Sequence, residues 1–264
     1  MLQIHINSMS ENSSSSKITA LAITFNEEAN VERYVASLSF ADEIIFVDSE
    51  STDQTVAIAQ SLGVKVITRS FTNFSEQRNY AIEQATHDWI LFFDLDEIIS
   101  AELEEEIKTT VANPGNKTAF FIKRTFHFMG KRIRFGGWQN DKAIRLFNKN
   151  YGSYNGNLVH EEVKSDGQVG VLKNRLNHYS YKSFDNYNDK LNLYSKLQAL
   201  NLYQKKKRPN GYHFFIRPLY RFFWQYLFRL GILDGKEGFI LAYVHSFSVF
   251  KRYLQLWMMY RKIE

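Results

Sequence analysis

Two aspartates separated by one residue, Asp94-Leu95-Asp96, followed by Glu97, close the run Trp89-Ile90-Leu91-Phe92-Phe93. Such a run reads as a buried strand. Alternation sends Asp94 and Asp96 to one side if strand geometry continues that far. Two carboxylates converging at a strand end form a hard-oxygen site suited to Mg²⁺ or Mn²⁺ carrying phosphates. Asp-x-Asp is a weak pattern alone, and the same acids would serve in a polar turn before a helix capped by Ser100. A second apolar run, Ile44-Ile45-Phe46-Val47, also ends on an acid, in Asp48-Ser49-Glu50-Ser51-Thr52-Asp53. Asp48 is the candidate there for a nucleobase or ribose contact, whereas Ser51 and Asp53 suit helix capping better. Arg78 follows Phe74 and precedes Tyr80, Ala81 and Ile82. Its planar fork fits a diphosphate, and the alternative is an ion pair at the surface.

The elements that must position these groups alternate in period. Ile18 to Ile23 reads as a strand, followed by a helix with Asn26 as cap and Val31, Val35 and Leu38 on one face. Ile44–Val47 is the second strand. A helix from about Asp53 to Leu62 stops at Gly63, Val64–Thr68 is the third strand, and Ser75–Ala85 a third helix. The fourth strand ends at Asp94. Strands alternating with helices through short connections predict a mostly parallel sheet covered on both faces, with ligands at the carboxyl ends of its strands. Ala119–Thr125 and Lys142–Phe147 read as further strands around the Gly- and Arg-rich loop Gly130–Gly137. Irregular sequence is expected from there to His178, and helical periodicity from about Phe184 to the end, broken at Pro209-Asn210-Gly211 and at Gly231.

Composition narrows the function. No Gly-x-Gly-x-x-Gly follows the first strand and no phosphate-binding Gly-x-x-x-x-Gly-Lys-Ser/Thr loop occurs, which disfavours a dinucleotide oxidoreductase and a P-loop NTPase. The absence of cysteine excludes disulfides and thiolate metal sites. Residues 1–16 are expected to be a disordered tail, poor in aliphatic side chains from Asn7 to Ser16 and without the features of a secretory signal. A cytoplasmic protein is therefore expected.

The ordered set Ile23-Thr24-Phe25-Asn26-Glu27-Glu28, Val47-Asp48-Ser49, Gln77-Arg78-Asn79 and Asp94-Leu95-Asp96-Glu97 resembles the inverting family 2 glycosyltransferases. The resemblance is strongest to their lipooligosaccharide β-1,4-glucosyltransferase-like branch. It continues through Gly136-Gly137-Trp138, Lys142 to Phe147, Val159-His160-Glu161 and His178-Tyr179-Ser180-Tyr181, and weakly into Leu233-Asp234-Gly235. The resemblance implies a GT-A fold at 17–182, a nucleotide-sugar donor (a UDP-sugar first) and a divalent metal, Mg²⁺ or Mn²⁺. It places Asp94, Asp96 and His178 at the metal, and Thr24, Glu27, Asp48, Arg78 and Asp94 around the donor. Trp138 and His160 fall on the acceptor side. Inversion requires a carboxylate that removes the acceptor hydroxyl proton, and Glu161 is the candidate with Glu162 as fallback. Two departures stand out. Ser49 replaces a second acid of the general pattern, and Leu95 replaces a usual alanine, which predicts a crowded sugar pocket.

The C-terminal third, 183–264, is expected to be a helical extension. From Leu191 to Leu233 it has no Asp or Glu, but it carries Lys205-Lys206-Lys207-Arg208 and mixes Arg217, Arg221 and Arg229 with many aromatics. Docking on an anionic membrane surface is favoured over packing on the catalytic domain, and nucleic acid is not expected. The reading is thus a peripheral enzyme of the inner membrane's cytoplasmic face, acting on a glycolipid such as lipopolysaccharide core. Its alternatives are an inactive scaffold that binds glycan or membrane, and a nucleotidyltransferase.

Overall fold

The computed structural model describes residues 16–156, 162–179 and 184–263. The expected N-terminal tail falls outside the described residues, Ser16 excepted. The chain divides into two compact units, the first formed by residues up to 94 with 101–121 and 144–172, the second by 95–100, 122–143 and 173–264.

In the first unit, β1 (Ile18–Thr24), β2 (Glu43–Asp48), β3 (Lys65–Thr68) and β4 (Trp89–Phe92) lie in the order β3-β2-β1-β4. All their pairings are parallel. The helices α1 (Glu28–Ala36), α2 (Thr55–Ser61) and α3 (Phe74–Glu83) connect them. Further along the chain come β5 (Glu97–Ile98), α4 (Ala101–Ala112), β6 (Lys117–Phe128), β7 (Lys131–Arg132) and β8 (Lys142–Asn148), the last pairing antiparallel with β4. The apolar runs form strands because both faces are covered: Leu21, Ile45, Phe46, Val47, Ile90, Leu91 and Phe92 are all fully buried. Each such side chain contributes about 1.5–3 kcal/mol by leaving water. The fold class is therefore α/β as expected, parallel through β3-β2-β1-β4 and antiparallel where β8 joins.

Three local expectations are corrected. Asn26 does not cap α1. It sits in the left-handed region at φ 54° and its Oδ1 accepts the Thr52 amide at 2.8 Å. The fourth strand stops at Phe92, and Leu95-Asp96 form a turn, so alternation does not align Asp94 with Asp96. The stretch read as irregular up to His178 holds, among the described residues, β9 (Gly152–Tyr154), β10 (Val163–Ser165) and the long β11 (Gln168–His178).

In the second unit the later part of β6 is followed in the sheet by β11 and β5, with β7 on β6. The helices α5 (Phe184–Gln204), α6 (Arg217–Phe223) and α7 (Lys236–Arg261) complete it. Two π-helical stretches, Tyr212–Ile216 and Trp224–Phe228, flank α6. Phe126, Phe128, Ile133, Tyr187 and Leu241 form one buried cluster, and Ala199, Val249, Tyr253 and Leu256 another. Asp234 is only 5% exposed, and its carboxylate accepts the amides of Arg134 at 3.0 Å and Phe135 at 2.8 Å. This explains in physical terms why Leu233-Asp234-Gly235 belongs with the Gly130–Gly137 loop: the acid holds that loop's backbone.

Candidate functional site

In the first unit the order β3-β2-β1-β4 reverses direction at β1, and the crevice beyond the carboxyl ends of β1 and β4 is where such sheets bind ligands. Thr24 and Asp48 end β1 and β2 and are register partners. The Thr24 hydroxyl donates to Asp48 Oδ1 at 2.8 Å. Asp48 is 1% exposed and also accepts the Ser51 amide at 2.8 Å and the Ser51 hydroxyl at 2.5 Å. These donors make Asp48 the organiser of the Ser49–Ser51 turn. Ser51 and Asp53 satisfy backbone donors, as their types suggested. Ser51 Oγ accepts the Asn26 amide at 2.9 Å, and Asp53 accepts the amides of Thr55 at 2.9 Å and Glu28 at 3.1 Å. Glu27 is half-buried. Its amide donates to Thr55 Oγ1 at 2.7 Å and its carboxylate accepts from Asn30 at 2.6 Å. The loops after β1 and β2 are thereby laced into one rim.

Arg78 is not a surface ion pair. It is 8% exposed, lies on α3 between the rings of Tyr154 and Phe74, and donates from Nη2 to Asp94 Oδ1 at 3.1 Å. The other oxygen of Asp94 accepts from Arg145 Nη2 at 3.1 Å. Arg145 is 5% exposed, and reasoning from the sequence gave it no role. The signal was present in Ala143-Ile144-Arg145-Leu146-Phe147, since an arginine inside an apolar strand needs a buried acceptor.

Within the second unit, antiparallel pairing of β5 with the end of β11 sets Glu97 opposite His178. The Tyr179 amide donates to the Asp96 carbonyl at 2.8 Å. Asp96 Oδ2 then lies 3.4 Å from His178 Nε2. Asp96 Oδ1 is buried with no hydrogen-bond partner among the described residues. A carboxylate oxygen buried without a donor, beside an imidazole nitrogen, fits a cation: carboxylate and imidazole both ligate Mn²⁺, and Mg²⁺ accepts one carboxylate with phosphates and water. Among the described residues no group of three or more acidic or His side chains could hold an ion, so the remaining ligands would come from substrate and water. Glu97 is fully buried and pairs with Arg124 at 3.2 Å, whose other nitrogen reaches Asp141 at 2.7 Å. Arg124 is a second site arginine that sequence reasoning missed. Leu95 is 3% exposed, so its side chain is taken up by the interior.

Trp138, expected at the acceptor, is partly buried and stacks on Phe126 with centroids 4.0 Å apart. Its indole nitrogen is buried without a hydrogen-bond partner among the described residues. His160 and Glu161 lie outside the described residues. Glu162 is exposed, and its carbonyl accepts the Asn155 amide at 3.1 Å. In the C-terminal helices many large apolar side chains face outward, among them Phe215 (70% exposed), Tyr220 (62%) and Phe228 (71%). Among the described residues no helix is long and apolar enough to cross a membrane.

The family profile described as "Glycosyl transferase family 2" matches residues 19–161. An uncharacterized glycosyltransferase of Rickettsia bellii is 34% identical over 253 residues, covering 91% of this chain and 86% of its own. The lipopolysaccharide core biosynthesis glycosyltransferase LpsC of Rhizobium meliloti is 26% identical, covering 89% of this chain and 93% of its own. Among solved structures, S. aureus TarS 1–349 in complex with UDP is similar at a TM-score of 0.49 and 16% identity, covering 93% of this chain and 91% of that one.

Proposed function

This chain belongs to glycosyltransferase family 2, and we propose that it moves a hexosyl unit, with inversion, from a UDP-sugar to a cell-envelope glycolipid such as lipopolysaccharide core. Its α/β sheet with a helical C-terminal part is the GT-A fold expected of such an enzyme. The observation that carries the reading is the Asp96–His178 pair, with a buried carboxylate oxygen that has no donor among the described residues. Asp96 and His178 would hold Mg²⁺ or Mn²⁺, which when bound neutralises charge growing on the departing diphosphate.

The chain's own groups do the rest. Thr24, Asp48 and Glu27 set the rim against which the nucleoside lies. Arg78 and Arg145 hold Asp94 just beyond the fourth strand, and its carboxylate, still 38% exposed, would accept from donor hydroxyls. Trp138 and His160 are assigned to acceptor binding. Glu161 takes the acceptor hydroxyl proton during in-line attack at the anomeric carbon, with Glu162 the fallback. A base in this role contributes about 10²–10⁴-fold.

The acceptor class rests on the likeness to LpsC, named for lipopolysaccharide core synthesis. Membrane-surface docking rests on the exposed aromatic side chains beside a segment without acids. The test is a panel of nucleotide sugars scored for Mn²⁺-dependent thermal stabilisation and slow donor hydrolysis. Stabilisation by a UDP-sugar alone, lost in Asp96→Asn, is expected. Indifference to every donor with and without metal would leave a scaffold instead. Docking is tested separately by sedimentation with anionic vesicles at low salt, where a protein left wholly in the supernatant defeats that part.

A further inference from the structure

The second unit contains a cavity that the transfer reaction does not use. It has a volume of about 320 Å³, and Gln198, Asn201, Lys205, Arg217, Arg252 and Tyr253 line it. Gln198 and Asn201 lie one helical turn apart on α5, with Lys205 four residues beyond, so all three share a face. Arg217 opens α6, and α7 supplies Arg252 and Tyr253. Three cations therefore converge on a space within the range of small-molecule sites, roughly 300–1,000 Å³.

Like charges gathered in this way repel unless an anion joins them, and the sequence supplies none nearby. There is no Asp or Glu from 191 to 233 or from 238 to 263, which covers most of α5, all of α6 and almost all of α7. None of the three cations forms an ion pair among the described residues. Arg252 Nε is buried and finds no hydrogen-bond acceptor among the described residues. Burial pushes the Arg252 guanidinium below its ordinary value, Tyr253 opposes this, and the charge of Arg217 adds to it. Gln198 and Asn201 add amide donors at the same wall. A tetrahedral oxyanion would satisfy the whole set, taking charge-assisted bonds from two guanidiniums and an ammonium.

We propose that this cavity binds a phosphate group, carried either by a lipid headgroup or by a small soluble phosphate, at a place separate from the donor site. The proposal stands independently of the transfer reading. Phe215 and Ile216, immediately before Arg217, are 70% and 52% exposed, so a headgroup bound here would have apolar side chains close by.

The test uses the full chain with two probes at fixed ionic strength: inorganic phosphate followed by calorimetry, and phosphatidylcholine vesicles with or without phosphatidic acid followed by sedimentation. Arg252→Gln and Lys205→Gln are compared with Lys196→Gln, which removes an exposed charge from α5 outside the cavity. Loss of one charge-assisted contact is expected to weaken binding about tenfold in the first two, and less than twofold in the control. Lys205 is exposed, so its variant keeps the test decisive if Arg252→Gln folds poorly. Binding of free phosphate lost in the cavity variants supports the site with a soluble ligand. Binding only to phosphatidic acid vesicles, lost in the same variants, supports it with a lipid ligand. No binding to either probe, or equal weakening in all three variants, overturns it. Donor hydrolysis by the same variants should be unchanged, which separates this outcome from any failure of the transferase reading.

Discussion

Replacing Asp94 with asparagine tests whether this acid supports the site or reacts in it. Its two oxygens each accept one guanidinium nitrogen at 3.1 Å, from arginines whose side chains are only 10% and 6% exposed. Asparagine keeps the shape and one acceptor oxygen, but turns an amide NH₂ toward the other guanidinium. Removing the acid from a buried pair costs about 3–5 kcal/mol when all charges are enclosed. Asp94 is 38% exposed, so water screens it and the expectation falls to about 2–3 kcal/mol. For a chain of this size that lowers Tm by roughly 5–10 °C. Urea unfolding at pH 7.5, followed by far-UV circular dichroism, measures it directly. Asp96→Asn is the paired control: its Oδ1 has no hydrogen-bond partner among the described residues, so it should change stability by less than about 1 kcal/mol. That variant should nonetheless lose the Mn²⁺-dependent response. An Asp94→Asn protein within about 0.5 kcal/mol of the parent would show that the arginines do not depend on this acid, and would sink the argument.

Three further predictions concern other parts of the chain, the first two independent of the donor. Burial pushes His245 down to about 3, against an ordinary 6.5. Between those values the unfolded chain binds one more proton than the folded one, so stability rises with pH across that window and is lost as pH falls. Going from pH 7.5 to 5.5 should remove about 1.4 kcal/mol through this group, and His245→Gln should flatten that part of the urea-midpoint profile. Gly238→Ala would place a Cβ 1.8 Å from the Gly231 carbonyl oxygen, a backbone atom that cannot turn aside. It should destabilise the helical unit by at least about 2 kcal/mol, read as a lower thermal midpoint. Glu161→Gln should cut kcat by roughly 10²–10⁴ with nucleotide binding intact, and near-full activity would transfer the role to Glu162.

The parts of the fold legible from sequence were those with one dominant period. β1 to β4 are apolar runs buried on both faces, and the helices between them announce themselves by stop signals such as Gly63. β11 was missed for a physical reason. Its inward residues are Gly170, Leu172, Asn174, Leu176 and His178, and Lys173, Arg175 and Asn177 stand between them, so alternation is diluted by polar side chains on both faces. Gly170 is needed because a Cβ there would come within 2.5 Å of the Phe120 ring. Asn26 failed as a cap because its side chain had a better partner in Thr52, 26 residues away, which no local rule sees. Arg145 and Arg124 were visible as letters. Their acids, Asp94 and Glu97, become neighbours only through strand pairing.

The same pairing explains how two aspartates two residues apart come to have different surroundings. Had the fourth strand continued, Asp94 and Asp96 would point the same way and share an environment. The strand instead ends at Phe92 and the chain turns at Leu95-Asp96, with Leu95 buried as the pivot. Asp94 is left with α3 and β8, where arginines neutralise it. Asp96 is handed to the short β5, whose antiparallel partner brings His178 alongside and supplies no donor to its second oxygen. The leucine at the middle of Asp-Leu-Asp is buried in the turn between the two acids. Leu95→Ala then tests the turn itself. It should create a cavity costing about 2–4 kcal/mol and loosen the Asp96–His178 geometry, weakening Mn²⁺-dependent stabilisation. If the variant kept full metal response and parental stability, the turn would not depend on this side chain and the separation of roles would need another cause.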